Sequence, residues 1–331
     1  MNNLLFIIPD YTGIVTGSSK RSKILCDNLS KNWKVIIISR KNIIELYNNK
    51  VISEKKATFL SILSLLLTTK FSFWFCDFIK WSLLPIPNLI FTLHDIKEWT
   101  EFGRRGLIKK FFLYIVIKKS KYLFTVSKNQ RILIKQKLGF ESHVFPNAVS
   151  KKWLEYSQKF ENTTKSDNDK YIIYVSNFTR HKCHIDLIYN NPLFNSYKFV
   201  FVGSAIDANG LLIKNYLQKI SNVKIYTNIS ESKLRSLVNS SSFVVFPSVY
   251  EGYGMPILES IALKKRVLIS DKLMLDHFDG CELVRSVSFD KDLSKKDIIW
   301  ATSSTDEYEN NCKCLVGWDQ ICYQIDSLLK S

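Results

Sequence analysis

The segment Phe246-Pro-Ser-Val-Tyr-Glu251-Gly-Tyr-Gly254-Met-Pro256-Ile-Leu-Glu259 leaves an apolar strand, turns on two glycines and enters a helix that starts with a proline. A missing N–H costs nothing at that position. The amides around Gly254 and Met255 are then free donors at a helix N-terminus, where the dipole also favours an anion. A diphosphate or the polar edge of a sugar fits there, and Glu251 and Glu259 supply two acceptors suited to hydroxyl groups. Each glutamate alone has a plainer explanation, Glu259 as a complement to the helix dipole and Glu251 as a solvated turn residue. The pair bracketing Gly-x-Gly and Pro256 is more specific than either.

The elements that must position this segment follow an α/β alternation. An apolar strand, Leu4–Ile8, leads through a loop with Gly13 and Gly17 to a helix at Ser19–Lys31 and a second strand at Lys34–Ser39. Strands this apolar read as buried and parallel. Further strands are expected at Phe71–Cys76, Asn88–Leu93, Lys121–Val126 and His143–Phe145, the last ended by Pro146-Asn147. Nine polar residues, Glu161 to Asp169, cannot build a core and read as part of a linker over 156–170. The alternation restarts at Tyr171–Val175, Lys198–Val202, Val223–Tyr226, Phe243–Phe246 and Arg266–Ser270. Two successive doubly wound domains follow, over 1–155 and 171–310. Ligands bind beyond the carboxyl ends of such strands, and most of the residues of interest fall there.

Of the net charge of +17, residues 1–150 carry +15, with 24 basic and 9 acidic side chains. So basic a half is drawn to polyanions, and without a nucleic-acid-binding motif an anionic lipid surface is favoured over nucleic acid. The block Arg104-Arg-Gly-Leu-Ile-Lys109-Lys-Phe-Phe-Leu-Tyr-Ile-Val-Ile-Lys118-Lys119 suits a helix packed on its sheet with a basic rim that meets a membrane. No apolar run nears the ~20 residues of a membrane span; the greasiest, Ala57 to Leu67, reads as a core helix. Met1-Asn2-Asn3-Leu4 lacks the features of a signal peptide. The seven cysteines are scattered, and reduced thiols in a cytosolic protein are the simplest reading. Cys312-Lys-Cys314 with Cys322 lacks zinc-site spacing, so no metal is expected.

The glutamate segment resembles the acidic signature of the retaining GT-B glycosyltransferases of glycosyltransferase family 4 (glycosyl transferases group 1). The resemblance extends along the chain. Val175-Ser-Asn-Phe-Thr-Arg180-His-Lys182 is similar to the family's Gly-Arg-Leu segment. Phe124-Thr-Val-Ser127, Phe145-Pro-Asn147-Ala and Trp318 resemble further landmarks, in the right order. It implies an α/β fold of GT-B type, two facing Rossmann-like parallel-sheet domains with a C-terminal helix, here 311–331, crossing back to the first domain. Nucleotide sugar would bind the second domain and acceptor the first.

By the same resemblance, Glu259 binds the donor's ribose and Glu251 faces the transferred sugar, helped by the amides of Gly252, Tyr253, Gly254 and Met255. Lys182 holds the diphosphate, an ammonium suited to charge moving onto the leaving phosphate. His94, after the strand Leu89–Leu93 and paired in sequence with Asp95, contacts the sugar near the reacting centre, and Gly17 approaches the diphosphate. The chain departs from the pattern at Asn177, which stands at the family's arginine position with Arg180 as the candidate replacement. It departs again at Lys264-Lys265-Arg266, where Gly-Thr-Pro is usual.

The implied activity is a retaining transfer of a hexose from a UDP- or GDP-linked donor. It needs no cofactor and no metal, and no Asp-x-Asp follows a strand. The expected acceptor is a glycan or lipid-linked glycan of bacterial surface polysaccharide synthesis (O-antigen, capsule or lipopolysaccharide), met on the inner face of the cytoplasmic membrane. The alternatives are a non-catalytic nucleotide-sugar-binding subunit, prompted by Asn177, and a GT-B sugar-nucleotide epimerase. A Rossmann dehydrogenase would need Gly-x-Gly-x-x-Gly after the first strand, which Gly13-Ile-Val-Thr-Gly17 does not supply.

Overall fold

The computed structural model describes residues 3–8, 17–77, 82–83, 86–96, 104–159, 171–191, 197–305 and 312–331. Two compact units emerge: Met1–Asn147 with Gly317–Ser331, and Ala148–Val316. The division falls after Asn147; most of the expected 156–170 linker, residues 160–170, lies outside the described residues.

The first unit runs β1 (Asn3–Ile7), α1 (Gly17–Leu29), β2 (Lys34–Ile38), β3 (Asn42–Tyr47), β4 (Lys50–Lys56), α2 (Phe59–Thr68), β5 (Phe73–Cys76), β6 (Leu89–Leu93), α3 (Arg104–Lys119), β7 (Tyr122–Thr125), α4 (Lys128–Leu138) and β8 (His143–Val144). Its sheet has the order β4-β3-β2-β1-β5-β6-β7-β8. From β2 to β8 every pairing is parallel. These central strands are apolar on both faces because helices cover both; Phe6 and Phe75 stack at 4.3 Å between centroids across the β1–β5 pair.

The hairpin β3–β4 was not foreseen. It pairs antiparallel with β2, and its loop is Asn48-Asn49, with φ of 48° and 62°. Two consecutive left-handed residues make the type I′ turn that matches strand twist, and asparagine tolerates it. As an edge strand β4 is exposed along most of its length and carries Lys50, Lys55 and Lys56, which discourage pairing with another chain.

The expectation of a core helix at Ala57–Leu67 is corrected. Helix α2, capped by Thr58 accepting from the Ser61 amide at 3.1 Å, buries only Leu65; Phe59 is 79% exposed and Leu67 78%. Its sequence, Phe-Leu-Ser-Ile-Leu-Ser-Leu-Leu-Leu-Thr, has apolar residues all round. Whichever stripe meets the protein, the others stay in solvent. Helix α3 is divided in the same way, Leu113, Val116 and Ile117 being buried and Ile108, Phe111, Phe112 and Tyr114 exposed.

The C-terminal helix α11 (Trp318–Lys330) packs with α1 in this unit. Asn32 donates to Asp326 at 3.1 Å, Lys31 pairs with Asp319 at 3.2 Å, and the Arg21 guanidinium lies 5.6 Å from the Trp318 ring. Buried Arg21 also donates to the Pro146 carbonyl and to Asn147 at 3.2 and 2.9 Å, so the Pro-Asn segment is an anchor for α1.

The second unit contains α5 (Lys151–Lys159), β9 (Tyr171–Val175), α6 (His184–Tyr189), β10 (Lys198–Val202), α7 (Ala208–Leu217), β11 (Val223–Tyr226), α8 (Glu231–Ser240), β12 (Phe243–Phe246), α9 (Met255–Ala262), β13 (Val267–Ser270), β14 (Val284–Val287) and α10 (Lys295–Thr302). Single 3₁₀ turns occupy Arg180–Lys182 and Asp276–Phe278. The sheet is parallel throughout, in the order β11-β10-β9-β12-β13-β14. Strand order reverses between β9 and β12, which opens a crevice at their carboxyl ends. An aromatic core of Tyr174, Phe178, Phe199, Phe201, Phe243 and Phe246 lies beneath it.

Candidate functional site

In the second unit, the loop after β9 carries Lys182 and the loop after β12 carries Glu251, and the switch in strand order brings the two side chains together. Lys182 Nζ binds Glu251 Oε1 directly, with only 14% and 12% of the side chains exposed. Ser248 donates to the same carboxylate oxygen at 2.9 Å. The Tyr174 hydroxyl, rising from β9, donates to the Lys182 carbonyl at 3.0 Å and lies 2.8 Å from Ser248 Oγ. Burial and the Glu251 charge push the Tyr174 phenol well above its ordinary range, so it stays a neutral donor. The Val249 amide donates to the His181 carbonyl at 3.0 Å and ties the two loops backbone to backbone. A partly buried ammonium and carboxylate are thus held in one place by Tyr174, outside both segments, and by Ser248 and the Val249–His181 backbone bond within them.

The glycine turn leads into α9, which begins at Met255, so Pro256 is its second residue. Gly254 caps it with φ 79° and ψ 46°, a conformation that disfavours any side chain. A Cβ there would also meet Ile257 Cδ1 at 3.0 Å and Leu275 and Phe278 at 3.3 Å. The Met255 amide has no acceptor within the helix, as first-turn amides do not. Tyr253 is buried, and His277 stacks on its ring at 4.1 Å while Nε2 lies 2.7 Å from the Tyr253 carbonyl. Burial holds His277 below its ordinary pKa. The neutral ring therefore donates through Nε2 and locks the turn. Gly252 is half-buried beside it, and Glu259 lies inside α9 at 7% exposure.

Arg180 and Asn177 are exposed. Asn177 Oδ1 accepts from the Ser204 amide at 3.2 Å, so the residue at the expected arginine position staples the β9 and β10 loops. Gly203 follows β10 so closely on that loop that a Cβ would sit 1.9 Å from the Ser176 carbonyl oxygen. His184 is a core residue between Tyr174 and Phe178, pushed down to about 3 by burial and then by the Lys182 charge. A hollow of about 860 Å³ lined by Tyr171, Lys198 and Val223 lies at the amino ends of the strands, opposite to the end where parallel sheets bind ligands.

In the first unit, order reverses between β1 and β5. His94, just after β6, reaches Asp77, just after β5, with Nε2 and Oδ2 3.3 Å apart. Ser22 of α1 donates to the same oxygen at 2.7 Å. Burial alone would raise the Asp77 carboxyl. Hydrogen bonds from His94 and Ser22, with the charges of His94 and Arg21, outweigh it and hold the group below its ordinary range. The partner of His94 in this contact is therefore Asp77, although Asp95 is its neighbour in sequence. Gly17 opens α1, exposed, with nothing within 4 Å of an added Cβ.

Tyr174, Ser248, His277 and Asp77 escaped the sequence reading. Asp77 follows an apolar strand as His94 does and could have been found from that; the other three carry no signal outside the fold.

Residues 155–278 match the family described as Glycosyl transferases group 1. The O-antigen chain mannosyltransferase RfbU of Salmonella typhimurium is 26% identical over 194 residues, 56% of this chain and about half, 53%, of that relative. Among solved structures, sucrose-phosphate synthase from Thermosynechococcus elongatus superposes with a TM-score of 0.80 at 14% identity, over 100% of this chain and 98% of that one. Anabaena HepE, solved in complex with UDP-glucose, gives 0.69 at 13% identity over 99% of both chains. These likenesses show the fold, two Rossmann-like units of GT-B type. The matched domain and the curated relative support the expectation of a glycosyltransferase.

Proposed function

We propose that the chain transfers a hexose from a nucleoside-diphosphate sugar to a glycan or lipid-linked glycan, with retention and without a metal ion, in bacterial surface-polysaccharide synthesis. One observation carries this reading: Lys182 and Glu251 meet at the β9–β12 crevice, braced by Ser248 and Tyr174. An ammonium held there, near a helix N-terminus, suits a leaving diphosphate. In the free chain Glu251 holds Lys182 in place. When a diphosphate draws the ammonium, Glu251 is released to accept from a sugar hydroxyl. Glu259 takes the ribose hydroxyls, the Gly252–Met255 amides and Gly17 the donor's polar edge, Arg180 a phosphate oxygen, and His94, aligned by Asp77, the transferred sugar. The name of RfbU favours mannose, and the HepE complex makes UDP-glucose the second donor to try.

The test is release of nucleoside diphosphate from GDP-mannose and UDP-glucose with lipid-linked glycan acceptors, with product configuration read by NMR. Turnover that disappears in Lys182→Ala and Glu251→Ala is expected. Thermal stabilisation by nucleoside diphosphate without turnover would favour the non-catalytic subunit, for which the stapling role of Asn177 speaks. Sugar interconversion on the donor alone would favour the epimerase.

The same reading seats the first unit on an anionic membrane, where a lipid-linked acceptor is met. Helix α2 leaves Phe59, Leu60, Leu63, Leu66 and Leu67 exposed, beside a lysine-bearing edge strand in a half of charge +15. Covering one such side chain is worth roughly 2 kcal/mol, so five left exposed are a large driving force toward an apolar surface. No described helix is long and apolar enough to cross a membrane. Flotation with anionic vesicles should be lost in Leu60→Ser/Leu67→Ser; binding equal to that of neutral vesicles would oppose the idea.

A further inference from the structure

Three thiols unrelated to the crevice come together in the second unit. Cys281 lies in the turn between Asp276–Phe278 and β14; its amide donates to the Phe278 carbonyl at 3.0 Å and its carbonyl accepts from Val284 at 2.9 Å. Cys312 and Cys314 lie in a turn beyond α10, closed by Leu315 donating to Cys312 at 3.0 Å and Val316 to Cys314 at 3.0 Å. All three sulfurs fall within 4.8 Å of one another, and Cys312 Sγ is 2.8 Å from Cys314 Sγ. Cys281 and Cys314 are buried, at 7% and 6% exposure, while Cys312 is partly open to solvent. The sequence had set Cys322 beside the Cys312–Cys314 pair; that residue belongs to α11 in the other unit, and the third thiol is Cys281, 31 positions upstream of Cys312.

We propose that Cys281, Cys312 and Cys314 form a binding site for a thiophilic d¹⁰ cation, zinc(II) foremost, with its fourth position open to water on the Cys312 side. Three sulfurs around zinc at about 2.3 Å sit roughly 3.8 Å apart, so the triangle fits once the Cys312–Cys314 contact relaxes by about 1 Å. The donor set suits the class, since thiolates select soft or borderline cations over magnesium or calcium. Each sulfur must shed its proton to ligate. Capture therefore binds the cation to three sulfurs and releases the thiol protons to solvent, leaving a zinc–trithiolate of net charge −1. Its effect is a clip joining the turn before β14 to the segment that ends this unit at Val316.

The experiment uses the full chain, stripped with chelator under reducing conditions. Added cobalt(II) should give thiolate-to-metal charge-transfer absorption at about one equivalent per chain, displaced by zinc, with release of the thiol protons. Cys281→Ser and Cys314→Ser should lose this absorption, and Cys322→Ser should keep it. Because a cluster variant can misfold, alkylation of the unaltered chain is mapped by mass spectrometry. Zinc should slow modification of Cys281, Cys312 and Cys314 by about tenfold or more and leave Cys183 unchanged. Alkylation rates indifferent to zinc would overturn the proposal. So would a disulfide among the three, seen as the loss of two hydrogens in the intact mass without reductant.

Discussion

The two units solve the same problem with different chemistry. In each, strand order reverses and two loops meet at the carboxyl ends of the sheet. In the second unit the reversal joins a cation to a carboxylate, Lys182 to Glu251, and braces them with a buried phenol, a serine and a stacked histidine behind the glycine turn. In the first the reversal lies between β1 and β5, and the contact forms one strand further along, between the loops after β5 and β6: buried Asp77 meets His94, left 27% exposed, with Ser22 as a further hydrogen-bonding brace. The second crevice is suited to hold a polyanion in a fixed pose, the first to present one imidazole in a fixed orientation. Similar backbones thus carry different sites because different side chains follow their strands.

The largest expected effect breaks the second crevice. Lys182→Ala should lower kcat/KM for sugar transfer by about 10²–10³, the usual cost of one preorganised donor to a leaving group. A loss below about threefold would leave the crevice without its proposed role. In the first crevice Asp77→Asn keeps the shape and removes the charge. We expect kcat to fall about tenfold with KM little changed and with an altered pH profile, since the residue acts through His94. A merely structural role would instead lower thermal stability and leave the profile in place.

Next in size is Gly203→Ala. A Cβ 1.9 Å from the Ser176 oxygen forces the β9 and β10 loops apart, and about 1–3 kcal/mol should be lost in denaturant unfolding. His184→Gln tests how far the core under the second crevice sets acid stability. The native imidazole titrates at about 3 and the unfolded one near 6.5, so between those values the unfolded chain holds one more proton. This contribution is complete above about pH 6.5 and falls by about 1.4 kcal/mol per pH unit as the medium is acidified toward 3. The variant should flatten that slope in urea melts between pH 4 and 6. The smallest effect belongs to Asn177→Arg, which exchanges the staple to Ser204 for a second cation. Donor KM should fall by about threefold or less, at a cost of roughly 1 kcal/mol in stability from the lost hydrogen bond.

Strands β1, β2, β5, β6 and β9 to β13 were legible to within a few residues because each is a short apolar run between turn residues, a local property. The hairpin β3–β4 and the strand β14 were not. Asn48-Asn49 makes a primed turn only through its backbone angles, and β14, Val-Arg-Ser-Val, has an arginine and a serine at its centre and so lacks an apolar run to mark it. Lys182, Glu251 and His94 were named from motifs, whereas their partners Ser248, Tyr174 and Asp77 were not. A serine or a buried tyrosine has no distinctive spacing, and its use depends on which strand lies beside it.

By itself the sequence determined the succession of strands and helices, the glycine turn before α9, the basic character of the first half and the residue types available for binding an anion. Those follow from local periodicity, backbone preference and composition, which act over a few residues. Only the tertiary structure decided that Lys182 rests on Glu251, that His94 turns to Asp77, that Cys281 completes a triangle of thiols and that α2 keeps all its leucines but Leu65 exposed. Each depends on strand order or on which face of a helix finds a neighbour, and packing settles both only once the whole sheet has formed.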